Sequence, residues 1–230
     1  MRRMRGTIRY LAGLSLAALV MAATETGFPS GAQGDDYTNA PVATAPQVPK
    51  PSVEWLLSPH ADARPQGAAI DMIVIHDTET PGVRDARTIW RHFANPSSQV
   101  SAHYVIGKDG AIVQCVPDAL RAWHAGESYY RGQDHLNDRS IGIELVNAQT
   151  GDDPFTNAQY RSLVQLVAHL VATHGIPLDR IVGHKDITLK PEVKKDPAVN
   201  FSFSRMFEGV RAALSPEATR QASAWQRPAR

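Results

Sequence analysis

Ile73-Val74-Ile75-His76 is a run of β-branched residues that ends in an imidazole. Turn-forming glycine and proline residues bound the run, so residues 70–76 are predicted to form a short buried strand. A second apolar run, residues 141–146, lies within Ser140-Ile141-Gly142-Ile143-Glu144-Leu145 and predicts another core strand. Two strands of the predicted core therefore each carry one ionisable side chain.

The rest of the chain between residues 53 and 214 alternates strand and helix patterns. The predicted elements are a helix at 83–94, two strands at 102–107 and 111–116 around the turn Lys108-Asp109-Gly110, a helix from the capping box at Thr156 to Gly175, a strand at 180–183 and a helix at 204–214. Strand, helix, three strands, helix, strand and helix is an order typical of an α/β fold. We expect a central mixed β-sheet flanked by helices, in a single domain.

Both ends of the chain differ in composition from this domain. Residues 1–23 combine an arginine-rich start with an apolar stretch too short to span a bilayer comfortably, which predicts a secretory signal peptide; an uncleaved signal anchor is the alternative. Their composition predicts that residues 24–52 form a flexible linker and residues 215–230 a mobile tail. Residues 53–214 are predicted to form the folded domain. The protein is therefore expected in the periplasm or outside the cell, with no membrane span in its mature form.

Charge and cysteine content limit the possible partners. The formal net charge is +1 and the basic residues are dispersed, so nothing favours nucleic acid as a partner. The single cysteine, Cys115, excludes an internal disulfide framework and is predicted to be a buried apolar residue rather than a reactive thiol. The mature protein is expected to be a monomer.

His76 and His184 are candidate metal ligands, because two imidazoles and one carboxylate are a ligand set for a catalytic zinc ion with one open position. His76 alone could equally be a structural hydrogen-bonding residue. His184 follows Gly183 and opens a loop with several acidic residues. The spacing does not choose between Asp186 and Asp196 as the third ligand, and Asp186 could instead brace the loop by accepting from backbone amides.

Glu144 interrupts an apolar strand, and its side chain alternates with those of its isoleucine and leucine neighbours. It could point to solvent, or it could be a buried general base whose pKa is raised by desolvation. Trp123-His124-Ala125-Gly126 is typical of a loop that lines a binding cleft, although a packed Trp123 beside an exposed His124 is the alternative. Five further histidines are predicted to be surface or capping residues: His60, His92, His135, His169 and His174.

Six segments in consistent order, covering roughly residues 70–200, resemble the zinc-dependent N-acetylmuramoyl-L-alanine amidases of type 2. That family also includes the peptidoglycan recognition proteins and phage lysozyme-like amidases. The segments are Ile73-Val74-Ile75-His76, Ser101-Ala102-His103-Tyr104-Val105-Ile106 with Asp109-Gly110, Arg121-Ala122-Trp123-His124-Ala125-Gly126, Asn137-Asp138-Arg139-Ser140-Ile141-Gly142-Ile143-Glu144-Leu145, Gly183-His184-Lys185-Asp186-Ile187, and Lys194-Lys195-Asp196-Pro197.

The resemblance implies roles for individual residues. It implies one zinc ion held by His76, His184 and Asp196, where Asp196 is favoured over Asp186 because it stands directly before a proline. It also implies that Glu144 is the acid–base residue and that Lys194, with Lys195 as the alternative, faces the charge that develops during the reaction. Trp123 and His124 are then expected to bind substrate.

The reaction implied by the resemblance is hydrolysis of the amide between N-acetylmuramic acid and L-alanine, in peptidoglycan or its muropeptide fragments. Cell-wall remodelling or turnover would be the role of an exported enzyme of this kind. A non-catalytic module that binds peptidoglycan is the main alternative, but it would be marked by a missing zinc ligand. A zinc peptidase of the commonest class is disfavoured, because the sequence contains no His-Glu-x-x-His motif.

Overall fold

Ten strands and three α-helices lie in residues 48–215, the part of the chain that this computed structural model describes. The strands are β1 (Glu54–Trp55), β2 (Ala61–Ala63), β3 (Met72–Asp77), β4 (Tyr104–Ile106), β5 (Ile112–Gln114), β6 (Leu120–Ala122), β7 (Tyr129–Tyr130), β8 (Gln133–Asp134), β9 (Ser140–Leu145) and β10 (Ile181–Gly183). The helices are α1 (Ala86–Ala94), α2 (Asn157–His174) and α3 (Phe203–Ala213).

Six of the strands form one sheet, in the order β1-β5-β4-β9-β3-β10. Strands β4 and β5 are antiparallel, and the other neighbouring pairs of this sheet are parallel. The sheet is therefore mixed, as predicted. The predicted order of elements is confirmed as β3, α1, β4, β5, β9, α2, β10 and α3.

One face of the sheet packs with α2 and α3. Alternation along β3 and β9 puts Ile73, Ile75, Ile141 and Ile143 in the largest apolar cluster, which also contains Leu166 of α2. Each fully buried side chain of this size contributes roughly 1.5–3 kcal/mol to folding. This cluster is therefore the main source of apolar stabilisation.

The opposite face of β3 and β9 is also covered, and it carries His76 of β3 with Ser140 and Glu144 of β9. Met72 and Val74 pack there with Ala125 and Leu136, while α1 packs against β4 and β5 on the same side. Because both faces are covered, the strands are almost continuously apolar in sequence. The remaining members of this face, in alternation, are His76, Ser140, Gly142 and Glu144.

The predicted ends of α2 are confirmed. Thr156 and Gln159 form the reciprocal capping box at its start. Gly175 ends the helix with φ at 68°, in the left-handed region that favours glycine. The predicted hairpin turn is confirmed as well, with Gly110 at φ 85° between β4 and β5.

Several predicted boundaries were wrong. Helix α1 begins at Ala86 rather than at residue 83, because the Asp85 side chain accepts from the amide of Thr88 and caps the helix there. Strand β3 begins at Met72 rather than at residue 70. The strands β1, β2, β6, β7 and β8 were not predicted, since two or three residues are too few to show a period.

The predicted signal peptide (1–23), the linker as far as residue 47 and the tail from residue 216 lie outside the described residues. Val48 packs against the largest apolar cluster, and its carbonyl oxygen lies 2.8 Å from Nδ1 of His169, so contacts with the domain begin before residue 53. Cys115 is buried, as predicted, and burial raises the pKa of its thiol to about 12. None of the helices in residues 48–215 has the length and apolar character needed to cross a bilayer.

Replacing Leu166 by alanine should destabilise the domain by about 2–5 kcal/mol, because it leaves a cavity among fully buried side chains. Denaturant unfolding followed by circular dichroism measures this change. The matched control is Gln165→Ala on the exposed side of the same helix, which should change stability by no more than about 0.5 kcal/mol. Equal effects of the two substitutions would contradict the assignment of this face of α2 to the core.

Candidate active site

Three parallel strands end at the candidate site. The register of β3 and β9 sets His76 directly opposite Glu144, on one face of the sheet. On the other side of β3, Gly183 of β10 pairs with Ile75, so the next residue, His184, enters the site beside His76. The carboxyl ends of neighbouring parallel strands are where α/β sheets commonly bind ligands.

His76, His184 and Asp196 form a buried cluster in which both histidines present Nδ1 to the carboxylate. The Nδ1 atom of His76 lies 2.9 Å from Oδ2 of Asp196, and Nδ1 of His184 lies 3.2 Å from the same oxygen. The three residues are between 2% and 4% exposed. One residue of a strand, one that directly follows another strand and one from a loop thus converge on one point.

The chemistry of this cluster fits a divalent metal ion. Tetrahedral ligands at 2.0–2.2 Å from a zinc ion are about 3.3 Å apart, close to the separations found here. Burial lowers the pKa of His76 although the neighbouring Asp196 opposes the shift, which favours the neutral imidazole that metals require. Burial alone would raise the pKa of Asp196, but its interactions with His184 and His76 outweigh this effect and hold the carboxyl ionised. These three residues could therefore hold a metal ion.

Asp186, the other acid considered from spacing, lies outside this cluster. Its Oδ2 accepts a hydrogen bond from the amide of Gly183 at 2.8 Å, so it braces the turn that presents His184. Gly183 also permits a close approach, since a Cβ atom there would stand 2.8 Å from Cδ of Pro197. This contact brings the residue after Asp196 against the strand that precedes His184.

Glu144 faces the cluster from β9. Its Oε2 atom is buried and has no hydrogen-bond partner among the described residues. Burial, and then the negative charges of Asp196 and Asp77, raise its pKa well above the usual range, while Lys194 opposes the shift. A raised pKa and an unpaired carboxyl oxygen are properties of a group that exchanges protons during a reaction.

A cavity of about 290 Å³ opens above these residues. Lys194 lines it, with Nζ 4.0 Å from a carboxylate oxygen of Glu79. Lys195, the alternative from sequence, is exposed and is not part of the cavity wall. The wall also includes the apolar side chains of Ile89, Phe93 and Val100.

Trp123 and His124 both line the cavity, but their surroundings differ. The indole nitrogen of Trp123 donates to Oδ2 of Asp62 at 2.7 Å, and its ring lies 5.3 Å from that of His60. Trp123 is thus a fixed, half-buried wall that a substrate could contact.

The side chain of His124 extends beneath the cavity wall and contacts His76, one of the candidate metal ligands. Its Nδ1 lies 3.1 Å from Nε2 of His76, and its Nε2 lies 3.1 Å from Oγ of Ser140. Burial, followed by repulsion from the neighbouring His76 and His103, lowers the pKa of His124 well below its ordinary value. The ring is therefore neutral at physiological pH.

The prediction that His60 is a surface or capping residue was wrong. His60 is 6% exposed, and its Nε2 lies 2.8 Å from the carbonyl oxygen of Asn95. Sequence reasoning also gave no role to Ser140 and Gly142, which contact the ring of His124. The available signal was a glycine inside a strand, on the same alternating face as Glu144, which indicates a close approach.

Residues 66–199 match the family model described as N-acetylmuramoyl-L-alanine amidase. This chain belongs to the N-acetylmuramoyl-L-alanine amidase family. The 1,6-anhydro-N-acetylmuramyl-L-alanine amidase AmpD of Enterobacter cloacae is 35% identical over 178 residues, covering 70% of this chain and 92% of the relative. The N-acetylmuramoyl-L-alanine amidase AmiD of Escherichia coli is 34% identical over 164 residues, covering 63% of this chain and 56% of the relative.

Solved structures of the family share the fold. A crystal structure of an AmpD derivative aligns with a TM-score of 0.62 at 34% identity, over 68% of this amidase and 93% of that chain. AmiD of E. coli in complex with anhydro-N-acetylmuramic acid-L-Ala-D-γ-Glu-L-Lys aligns with a TM-score of 0.53 at 32% identity, over 64% of this amidase and 60% of that chain. The predicted family and the predicted class of enzyme are thus confirmed.

Substitutions of Asp196 and Asp186 test metal binding and bracing of the loop separately. Asp196→Ala should weaken the binding of a divalent metal ion such as zinc on the order of 100-fold or more, because it removes the carboxylate that both histidines face. Asp186→Ala is the matched control and should keep most of the affinity, since it removes only a contact with the backbone. Chelator competition with metal-free protein measures both. A larger loss in Asp186→Ala than in Asp196→Ala would refute this division of roles.

Proposed function

We propose that this amidase is zinc-dependent and cleaves the amide between N-acetylmuramic acid and L-alanine in peptidoglycan or its soluble fragments. One observation carries the proposal: the buried cluster of His76, His184 and Asp196 shares a cavity with Glu144 and Lys194. The amidase also spans 92% of a relative named for cleavage of the 1,6-anhydro-N-acetylmuramyl-L-alanine bond.

Zinc is the metal that this donor set favours. Two imidazole nitrogens and one carboxylate oxygen are a common protein share of a catalytic zinc site, and they leave one position open. His76, His184 and Asp196 would hold the ion, with His76 and His184 offering Nδ1. When bound, zinc supplies a Lewis acid that polarises an amide carbonyl and acidifies water.

Glu144 and Lys194 supply the remaining chemistry. Glu144 takes a proton from the attacking water and returns it to the nitrogen of the leaving amine, so that one carboxyl group serves as base and then as acid. Lys194, whose ammonium lies at the cavity wall, stabilises the negative charge that develops on the carbonyl oxygen. Trp123 provides a rigid surface beside these groups for the sugar or the stem peptide.

The ligands bound in related structures support muropeptide fragments as substrates. AmiD of E. coli was solved with anhydro-N-acetylmuramic acid-L-Ala-D-γ-Glu-L-Lys, and AmpDh3 of Pseudomonas aeruginosa with anhydromuramic pentapeptide. The arginine-rich and then apolar residues 1–23 support export to the periplasm or beyond. A muropeptide substrate and export of the protein together fit turnover or remodelling of the bacterial cell wall outside the cytoplasm.

Glu144→Gln should lower kcat by roughly 10²–10⁴-fold while zinc remains bound, because it removes a proton acceptor at the reacting atoms and not a ligand. The assay incubates intact sacculi and soluble anhydro-muropeptides side by side and identifies released stem peptides by mass. Metal content after dialysis is measured on the same samples. Normal release of peptides by a zinc-loaded Glu144→Gln protein would exclude this role, and lack of release by the zinc-loaded wild type would exclude the proposed reaction.

Adjacent lysines give a second test. Lys194→Met should lower kcat by about 10²–10³-fold, with a smaller effect on KM, if its ammonium stabilises charge mainly in the transition state. Lys195→Met removes the same charge one residue further on, at an exposed position outside the cavity, and should stay within about twofold of the wild type. The reverse ranking of the two variants would transfer the role to Lys195.

A further inference from the structure

We propose that Ser140 and His124 are positioning residues that set the tautomer of His76, so that Nδ1 of His76 carries its lone pair toward the metal site. The inference rests on the proposed zinc site and gives His124 a role different from substrate binding. It depends on one continuous series of hydrogen bonds, which runs from the carbonyl oxygen of Leu136 to Nε2 of His76.

The direction of the series is fixed at Ser140. Its Oγ lies 2.6 Å from the carbonyl oxygen of Leu136 and 3.1 Å from Nε2 of His124. A carbonyl oxygen can only accept, so the single hydroxyl proton of Ser140 goes to Leu136. The same Oγ must then accept from His124, which places the proton of the imidazole on Nε2.

The next link transfers this choice to His76. With its proton on Nε2, the neutral ring of His124 presents Nδ1 as an acceptor, 3.1 Å from Nε2 of His76. Nε2 of His76 must therefore be the protonated nitrogen. Its Nδ1, which faces Asp196 and His184, is left with a free lone pair, as metal binding requires.

Contacts with Asn137 and Gly142 hold the ring of His124 between Ser140 and His76. Oδ1 of Asn137 accepts from the amides of His124 and Ala125, at 3.1 and 2.8 Å. The ring itself lies against β9, where a Cβ atom on Gly142 would stand 2.5 Å from Cγ of His124. Only glycine at this position leaves room for the imidazole between β9 and His76.

Zinc affinity separates a positioning role from a merely structural one. Ser140→Ala removes the acceptor of the His124 proton, and His124→Leu removes the acceptor of the His76 proton. Both should weaken zinc binding by about 10–100-fold in chelator competition, the usual effect of losing a partner of a metal-bound histidine. His124→Asn is the matched control: its amide oxygen can replace Nδ1 as acceptor, so most of the affinity should return. Thermal unfolding of the metal-free variants shows whether each is folded.

A measurement on the wild type needs no variant. In the zinc-loaded protein labelled with ¹⁵N-histidine, two-bond ¹H–¹⁵N spectra should show the Nε2–H tautomer for both His76 and His124. A proton on Nδ1 of either ring would overturn the inference, as would zinc affinities of Ser140→Ala and His124→Leu within twofold of the wild type. If the wild type bound no zinc at all, both the proposed function and this inference would be excluded. If the wild type bound zinc and the variants bound it equally well, only this inference would be excluded.

Discussion

The in-register parallel pairing of β3 with β9 is the constraint on which the candidate site depends. It sets His76 against Glu144 and, because side chains alternate along a strand, puts both on the same face of the sheet. A slip of one residue would turn one of the two strands over and send its polar side chain into the apolar packing of α2. The large cluster of isoleucines and leucines on the other face opposes such a slip. The same apolar contacts that stabilise the domain therefore also fix the relation between the acid and the histidine.

Burying the polar face of β3 and β9 beneath a loop and a helix destabilises the fold unless its polar groups form hydrogen bonds. Each buried group without a partner costs about 1–3 kcal/mol of folding free energy. Most polar groups of this face are paired. The Oγ of Ser140 donates to the carbonyl oxygen of Leu136, and Arg64 donates to the carbonyl oxygens of Asn137 and Ser140. On this face, Oε2 of Glu144 has no hydrogen-bond partner among residues 48–215. This exception lies at the cavity, where a reaction would use it.

The longer elements could be predicted from sequence because their periods extend over many residues, and the α2 capping box and Gly175 marked both ends of that helix. The strands of two or three residues could not, because only their partners across the sheet define them. The same limit applied to the site. Spacing could not choose between Asp186 and Asp196, since both follow His184 within one irregular loop. Nor could it relate Ser140 to His124, because their contact depends on how a distant loop folds over β9. The error at His60 has the same origin, as its burial depends on Trp123 and Asn95.

The segment between His184 and Asp196 is anchored at both ends, and part of its middle is exposed. At the anchored ends, the amide of Lys185 donates to the carbonyl oxygen of Asp196 at 2.8 Å, and Pro197 packs against Gly183. In the middle, Leu189 and Val193 are each 61% exposed. Residues can be gained or lost there without moving the carboxylate away from the imidazoles. Enzymes built on this plan can therefore vary this stretch of surface while the carboxylate and imidazoles beneath stay in place.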